Sequence, residues 1–177
     1  FFPWVTPVAQ PCTVLAAASS LTHRIRLGTN VTPIPRRMPQ NLAKQLSTLD
    51  HLSDGRVVLG AGLGGAGEGG DAGPEFSGFA LPSDYVTLGE MTDEALKIIT
   101  ALWSGEQVNY TGRHYTVREV TFQPAPLQRP RIPVWIGGSC PKALRRAARW
   151  DGWVPAGPAP SAGFPGLSVD DVEEKLI

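Results

Sequence analysis

The chain has 177 residues, of which 42% are hydrophobic and 18% are charged. This is the composition of a globular domain, not of a disordered or fibrous protein. Sixteen Lys and Arg balance sixteen Asp and Glu, so the basic excess typical of nucleic-acid and anionic-membrane binders is absent. No apolar run approaches the roughly 20 residues of a membrane span, and no signal peptide is recognisable. We therefore expect a cytoplasmic protein without nucleic-acid or membrane partners.

Short apolar segments alternate with amphipathic ones along the chain, and together they predict strands and helices in turn. Pro33, Pro35 and Pro39 separate the first strand from the next helix, and Asp54-Gly55 ends that helix. On the outer face of a later helix, Asp93 and Lys97 are spaced to pair across one turn. In chain order the predictions are a helix at 14–21, a strand at 25–31, a helix at 42–49, a strand at 57–61, a glycine-rich loop insertion at 62–81, a helix at 83–103, a hairpin and proline-rich connector at 107–131, a strand at 132–136, a helix at 141–150, a strand at 152–154 and a helix from 169.

A strand followed by a helix occurs about four times, which favours a parallel sheet built from βαβ units. Two architectures fit this pattern, a doubly wound open sheet and a (β/α)8 barrel. A barrel needs eight strands and typically about 250 residues, so in that interpretation the chain holds about half of one. The sequence starts within the pattern at Phe1 and stops within a predicted helix at Ile177. We therefore expect a single domain over residues 1–177, truncated at both ends.

Glycines at the end of the predicted strand 57–61 form the first candidate ligand site. Gly60, Gly62 and Gly65 match the spacing GxGxxG, but a dinucleotide site needs a helix directly afterwards. The residues that follow are mostly glycine, which disfavours a helix. Either the segment is simply a flexible loop, or Gly62 and Gly64 leave the backbone open to a bulky planar ligand at the carboxyl end of the strand.

Two further strand ends carry candidate residues. Gly137 and Gly138 turn the chain after the strand 132–136, and Ser139 is placed to cap the helix that follows. Free N–H groups at such a helix start attract a phosphate, although an ordinary cap without a ligand fits as well. Thr29 and Asn30 are the polar residues that end the first strand, where they predict either ligand contacts or a strand-end cap.

The remaining reactive residues predict no metal site and no catalytic residue. Cys12 and Cys140 form neither a CxxC pair nor a zinc-ligand spacing, so two reduced thiols are expected. His23, His51 and His114 also lack metal-ligand spacing, and no Ser-His-Asp signature is present. The acidic residues nearest the predicted ligand face are Glu75 and Glu90.

Several motifs in a fixed order resemble the bacterial luciferase-like monooxygenase family, and the resemblance covers nearly all of residues 13–155. These motifs are residues 22–29, Pro39, residues 49–62, Glu75-Phe76, residues 94–96, Leu102-Trp103, residues 111–115, residues 126–128, residues 132–138 and residues 151–153. The resemblance implies a (β/α)8 TIM barrel of which this chain holds roughly the third to sixth β/α units. It further implies that FMN or the deazaflavin coenzyme F420 binds at the carboxyl ends of the strands.

Carried over residue by residue, the resemblance assigns the cofactor contacts to the strand ends already described. Thr29 and Asn30 would face the ring, Gly62 and Gly64 would line it, and the phosphate would be held at the turn Gly137, Gly138 and Ser139. The family's first two strands, including an Asp-His pair, would precede Phe1. The catalytic Glu of its sugar-phosphate dehydrogenases is replaced by Gly65.

The activity implied is that of an oxidoreductase acting on a small organic substrate. The reaction would be monooxygenation with reduced FMN and O2, or hydride transfer with coenzyme F420, and the sequence does not separate the two. A homo-oligomer is implied for the whole protein, with a flavin reductase as one further partner. The alternative is a luciferase-like remnant or partner subunit without catalytic activity.

Overall fold

The computed structural model describes residues 9–65 and 73–155, which form a parallel β-sheet, its helices and a separate hairpin. The strands are β1 (Leu27–Gly28), β2 (Thr32–Pro33), β3 (Val57–Gly62), β4 (Gln107–Thr111), β5 (Thr116–Thr121), β6 (Val134–Gly137) and β7 (Gly152–Val154). The helices are α1 (Pro11–Leu21), α2 (Pro39–Leu52), α3 (Pro74–Ser77), α4 (Tyr85–Leu102) and α5 (Pro141–Ala147), with one 3-10 turn at Ile34–Arg36. Residues 66–72, the side chain of Glu75 and the predicted helix from 169 lie outside the described residues.

The sheet has the order β1-β3-β6-β7, with β2 also pairing to β3, and every one of these pairs is parallel. β3 is buried along its whole length, as its continuously apolar sequence predicts. Because the strands run in the same direction, their carboxyl ends lie along one edge of the sheet. The crossovers between β3, β6 and β7 contain α4 and α5, as in successive β/α units.

The four longer helices, α1, α2, α4 and α5, pack against one face of this sheet. Val57, Leu59 and Ala61 of β3 lie in one apolar cluster with residues of all four longer helices. The alternation of a strand turns Gly60 and Gly62 towards the opposite face. A doubly wound sheet carries helices on both faces, whereas a barrel carries them only outside. The arrangement therefore favours the barrel over the open sheet.

Side chains on one face of α2 form hydrogen bonds with the proline-rich connector that precedes β6. Lys44 and Ser47 donate hydrogen bonds to the carbonyl oxygens of Gln123 and Pro124, and His51 Nε2 lies 2.8 Å from the carbonyl oxygen of Ala125. Since a carbonyl can only accept, the His51 Nε2 carries the proton in this contact. The connector is thus fastened at successive residues rather than left as a free loop.

The hairpin β4–β5 is fastened to α4 by two glutamates. Glu94 accepts hydrogen bonds from the backbone N–H groups of Arg113, His114 and Tyr115 at 2.8, 3.0 and 3.1 Å. Glu90 pairs with Arg113 at 2.9 Å and lies 3.0 Å from His114 Nε2. Glu90, named from the sequence as a residue near the ligand face, therefore contacts the hairpin.

One ion pair and one strand differ from their predictions. Asp93 does not pair with Lys97 on its own helix; its carboxylate is bound to Arg146 at 2.8 Å and to Arg149 at 3.1 Å. The predicted strand 25–31 is reduced to β1, because the chain leaves the sheet after Gly28 and rejoins it at β2. Both differences arise from contacts between residues far apart in the sequence.

Candidate functional site

The strand ends define one continuous rim, which we call the carboxyl edge and which comprises residues 29–33, 62–64, 137–139 and 154. Strand register aligns these segments: Pro33 pairs with Gly62, and Gly137 pairs with Val154. Ala61, one residue before Gly62, pairs with Ile136, one residue before Gly137. All seven predicted cofactor-binding residues, which are Thr29, Asn30, Gly62, Gly64, Gly137, Gly138 and Ser139, therefore lie along this edge.

The centre of the carboxyl edge is the side chain of Val31. A Cβ atom added to Gly62 would collide with Val31 Cγ2, and one added to Gly137 would lie 2.8 Å from Val31 Cγ1. The isopropyl group thus occupies the space that two neighbouring strands leave free by having glycine at their ends. Val31 is itself half-buried, so part of this residue remains accessible at the carboxyl edge.

Thr29 holds the backbone that carries Val31. Its hydroxyl lies 2.6 Å from the hydroxyl of Thr32 and donates to the carbonyl oxygen of Gly60 at 3.2 Å. A Cβ at Gly60 would overlap the carbonyl oxygen of Thr29, so this crossing requires a glycine. The Thr29 hydroxyl is therefore committed within the protein, and the residue supports the carboxyl edge from inside.

Asn30 differs from Thr29 in the accessibility of its side chain. Its side chain is exposed, and its peptide bond to Val31 is cis. An exposed amide offers both a donor and an acceptor to a ligand. Of the two polar residues predicted at this strand end, Asn30 has the side chain that is accessible for binding.

The glycine-rich segment after β3 is tied to the start of α4. Gly64 has a φ of 87°, and a Cβ there would lie 2.7 Å from Pro33 Cβ and 3.0 Å from the Phe76 ring. Tyr85 donates a hydrogen bond to the carbonyl oxygen of Gly65 at 3.1 Å. The positive φ and the close approach of Pro33 and Phe76 account for glycine at position 64.

The first turn of α4 is fixed by its cap. The carboxylate of Asp84 accepts a hydrogen bond from the backbone N–H of Thr87 at 2.8 Å. This hydrogen bond holds the pKa of Asp84 below its ordinary value. The cap sets where α4 begins and thus where Tyr85 meets the glycine-rich segment.

The turn after β6 differs from its sequence-based interpretation. α5 begins with Cys140, not Ser139, in the capping position, and its cap makes no side-chain hydrogen bond. Gly138 has a φ of 125°; its N–H donates to Val154 at 3.2 Å, and its carbonyl oxygen accepts from Trp153 Nε1 at 2.6 Å. Both backbone groups of Gly138 are therefore used inside the protein.

Val31 and Trp153 are the site residues that the sequence analysis missed. Val31 is apolar and follows two polar residues, so a search for polar strand ends passes over it. Trp153 is visible in the sequence only within a short strand and within the family motif at 151–153, and its bond to Gly138 links residues that are 15 positions apart. The available signal was the number of glycines ending adjacent strands, because each one implies a neighbour that fills its place.

Comparison with known proteins shows the family to which the chain belongs. The sequence profile of the luciferase-like monooxygenase family matches residues 1–167. The chain is 37% identical over 153 residues to the F420-dependent glucose-6-phosphate dehydrogenase of Microbacterium testaceum, covering 83% of this chain and 43% of that protein. Among solved structures, the monooxygenase RslO1 from Streptomyces bottropensis is 30% identical with a TM-score of 0.69 over 79% of this chain and 40% of its own.

A second solved structure is an F420-dependent secondary alcohol dehydrogenase in complex with an F420-acetone adduct, 26% identical with a TM-score of 0.75 over 99% of this chain and 52% of that one. The chain belongs to the luciferase-like monooxygenase family, and the predicted partial (β/α)8 barrel is confirmed. It spans about half the length of the relatives that it matches. Within residues 9–65 and 73–155, no helix combines the length and apolarity needed to cross a membrane.

Proposed function

We propose that this chain is part of a flavin- or deazaflavin-dependent oxidoreductase whose cofactor ring lies on the carboxyl edge. One observation carries the proposal: Val31 is seated between Gly62 and Gly137 on adjacent parallel strands, at the end of the barrel where such enzymes bind their ligands. Family membership supports it, as do relatives named for dependence on F420. The bound group would supply the redox chemistry, as electrons from reduced FMN or a hydride from the deazaflavin.

The chain's own contribution is to bind and orient the ring. The methyl groups of Val31 form an apolar surface that a flat ring can contact without meeting a polar backbone. Because the isopropyl group of Val31 fills the space beside both Gly62 and Gly137, contacts with two strands hold this surface in position. A rigid contact of this kind limits the loss of side-chain entropy when the ring binds.

Asn30 and Ser139 would supply polar contacts on either side of Val31. The exposed amide of Asn30 can accept from a ring N–H or donate to a ring carbonyl. Ser139 follows the Gly137-Gly138 turn, where the backbone approaches the start of α5. We place the phosphate contact at Ser139, as the family resemblance implies for this turn; the N–H and carbonyl of the preceding Gly138 are paired within the protein.

The test is a titration of the protein, expressed from its whole gene, with coenzyme F420, with oxidised FMN and, without oxygen, with reduced FMN. Binding is followed by the fluorescence or absorbance of each cofactor. We expect one of the two cofactor types to bind at micromolar concentration. If neither bound at tens of micromolar, the proposal would be overturned in favour of a luciferase-like protein without catalytic activity.

Two matched pairs of variants test the site itself. Val31→Ala removes the apolar contact and should weaken cofactor binding at least tenfold, whereas Val86→Ala, at an exposed valine on α4, should leave it unchanged. Ser139→Asp places a negative charge at the proposed phosphate contact, whereas Ser139→Asn keeps the size without the charge. If these two Ser139 variants bound the cofactor with equal affinity, Ser139 would not be a phosphate contact. Gly138→Asp is a poorer probe, because any side chain is strained at its φ of 125°.

The reaction follows from which cofactor binds. Binding of reduced FMN, with consumption of O2 when a small organic substrate is added, would identify a monooxygenase, and a flavin reductase would then be needed as a partner. Binding of F420, with substrate-dependent reduction that is insensitive to O2, would identify a dehydrogenase. The cofactor that binds therefore decides which reaction is tested with candidate substrates.

A further inference from the structure

A groove on the outer surface between α4 and α5 carries a concentration of positive charge, and we call it the basic groove. It has a volume of about 540 Å³, and its lining residues are Asp93, Lys142, Arg145, Arg146, Ala148 and Arg149. Four of these six residues are cationic and one is acidic. The chain as a whole has equal numbers of basic and acidic residues, so the excess of cations is specific to this groove.

The one carboxylate of the basic groove is already neutralised. The nearly buried Arg146 donates to both oxygens of Asp93, at 2.8 and 3.0 Å, and Arg149 donates to one of them at 3.1 Å. Lys142 and Arg145 are exposed. Among the described residues, neither of these two cations has an ion-pair partner. The groove therefore keeps a positive charge that the described part of the chain does not balance.

The stability of α5 accounts for only some of these cations. Arg145 and Arg146 lie in its last turn, where a cation interacts favourably with the helix dipole. Lys142 lies in the first turn, where the same dipole disfavours a positive charge. α5 contains no acidic residue with which Lys142 could pair along the helix. The position of Lys142 is explained if the basic groove holds an anion.

The cations form a row that leads away from the carboxyl edge. At 3.6 residues per turn, positions 142, 145 and 149 lie within about 60° of one another around the helix axis. Lys142 follows Ser139 by only three residues, and Arg149 lies roughly 10 Å further along at 1.5 Å per residue. An anionic chain that begins at the phosphate contact placed at Ser139 would therefore meet the three cations in succession.

We propose that the basic groove binds the oligoglutamate tail of coenzyme F420, an inference that rests on the proposed function. Beyond its phosphate this coenzyme continues into a lactyl group and a chain of glutamates with free carboxylates, whereas FMN ends at its phosphate. A carboxylate can pair with a guanidinium group through two parallel hydrogen bonds and with an ammonium group as a point charge. The row of cations therefore favours the deazaflavin over FMN as the cofactor of this chain.

The tail should strengthen cofactor binding without being essential to it. An exposed ion pair contributes little by itself, so three such pairs should lower the dissociation constant by roughly three- to thirtyfold. Salt screens charges that are open to solvent. The contribution of the tail should therefore shrink as the salt concentration is raised, whereas the apolar contact of the ring with Val31 should not weaken in this way.

The experiment compares two ligands on the protein expressed from its whole gene: coenzyme F420 and the same deazaflavin without its glutamates. Both dissociation constants are measured by titration, using the fluorescence of the deazaflavin, at low and at high salt. At low salt the wild type should bind F420 at least roughly threefold more tightly than the truncated ligand. This preference is a binding measurement and does not depend on catalytic activity.

A pair of matched variants assigns the preference to the basic groove. Lys142→Gln/Arg145→Gln removes two of its charges and keeps residues of similar helix propensity, so it should lose most of the preference for F420. Lys97→Gln/Arg118→Gln removes the same charge at exposed positions on α4 and β5 and should keep the preference of the wild type. Circular dichroism reports whether each variant is folded. If the double variant at the groove does not fold, Lys142→Gln alone decides.

A wild type that binds both deazaflavin ligands equally would overturn the inference and leave the proposed function standing. A preference for F420 that persists unchanged in folded Lys142→Gln/Arg145→Gln would also overturn it, since the tail would then be bound elsewhere. Binding of FMN and of neither deazaflavin ligand would overturn the tail site but not the proposed oxidoreductase. If no cofactor bound at all, the proposed function would fail together with this inference.

Discussion

Asp50 and Gln128, 78 residues apart, are joined by two hydrogen bonds: the Gln128 backbone N–H donates to Asp50 Oδ2 at 3.0 Å, and its side-chain amide donates to Oδ1 at 2.7 Å. The Leu127 N–H adds a third, at 2.8 Å to Oδ2. Gln128 Nε2 also donates to the carbonyl oxygen of Val57. The completely buried carboxylate of Asp50 thus fixes the connector to α2, and the Gln128 amide fixes it to the first residue of β3.

Asp50→Asn should strongly destabilise the protein. In either orientation the asparagine would turn its NH2 group towards a donor, either the backbone N–H groups of Leu127 and Gln128 or the Gln128 side-chain amide, and would leave buried donors unpaired. We expect a loss of about 2–4 kcal/mol in the free energy of unfolding, measured by chemical denaturation. The control is Asp54→Asn, four residues further on: Asp54 is exposed with a φ of 53°, a conformation that asparagine adopts readily. Equal effects of the two substitutions would show that the hydrogen bonds of Asp50 contribute little.

The stabilisation of the hairpin by Glu94 should depend on pH. Partial burial alone would raise the pKa of Glu94, but the hydrogen bonds from the backbone N–H groups of His114, Arg113 and Tyr115 outweigh it and hold the pKa below its ordinary value of 4.5. Since the folded pKa is the lower one, the ionised carboxylate stabilises the fold fully above about pH 4.5. This stabilisation is lost as the pH falls through the folded pKa.

Glu94→Gln should therefore lower the free energy of unfolding by about 1–2 kcal/mol at pH 7, and the difference from wild type should shrink on acidification. Denaturation curves between pH 3 and pH 7 measure both. Glu106→Gln, at an exposed glutamate just before β4, should differ little from wild type throughout. A deficit of Glu94→Gln that stayed constant with pH would contradict the role given to the charge.

Arg146 should prove indispensable for the attachment of α5, in contrast to its neighbour. Its guanidinium is nearly buried and donates to both carboxylate oxygens of Asp93, at 2.8 and 3.0 Å, and to the carbonyl oxygen of Gly89 at 3.2 Å. Arg146→Ala leaves Asp93 with only Arg149 and should cost about 2–4 kcal/mol. Arg145→Ala, on the exposed side of α5, should change stability by no more than about 0.5 kcal/mol. Thermal unfolding of both variants at low and high salt makes the comparison.

The sequence predicts those parts of the fold that depend on local pattern. The apolar run at 57–61 becomes β3, and the helical spacing of Leu42, Leu46 and Leu49 becomes the buried face of α2. Residues 25–31 look equally continuous, yet only Leu27–Gly28 pairs as β1. The chain turns inward at Thr29 because Gly60, 31 residues later, leaves room for it, and such a condition is invisible to periodicity.

The candidate site also has some features that the local sequence predicts and others that depend on distant contacts. Polar and glycine residues at the strand ends can be selected from sequence, because parallel strands bring their carboxyl ends together. The structural role of each of these residues cannot be predicted from the sequence, because it depends on contacts with residues elsewhere in the chain. Gly138 has both backbone groups paired with β7 residues, and Gly64 is required by Pro33 and Phe76. The cofactor-binding roles of the seven residues remain a prediction.

Gly62→Ala should weaken cofactor binding through Val31. The added methyl group would collide with Val31 Cγ2 and push the isopropyl group outward, into the position assigned to the ring. We expect at least a tenfold rise in the cofactor dissociation constant and a loss of about 1–3 kcal/mol in stability from overpacking. Adding Val31→Ala removes the colliding atoms, so Gly62→Ala/Val31→Ala should recover most of the lost stability. Its cofactor affinity should then match that of Val31→Ala alone.

The double variant separates the collision from a general weakening of β3. A pair of substitutions that act on the same contact deviates from additivity, whereas independent effects add. Gly89→Ala is the control, because its new Cβ would meet the Arg146 guanidinium, at 3.2 Å, and not Val31; whatever its effect on stability, it should leave cofactor affinity unchanged. Additive losses in the Gly62→Ala/Val31→Ala protein would mean that the two residues do not compete for one space, and the carboxyl edge would then lack the fixed apolar surface on which the proposed ring contact depends.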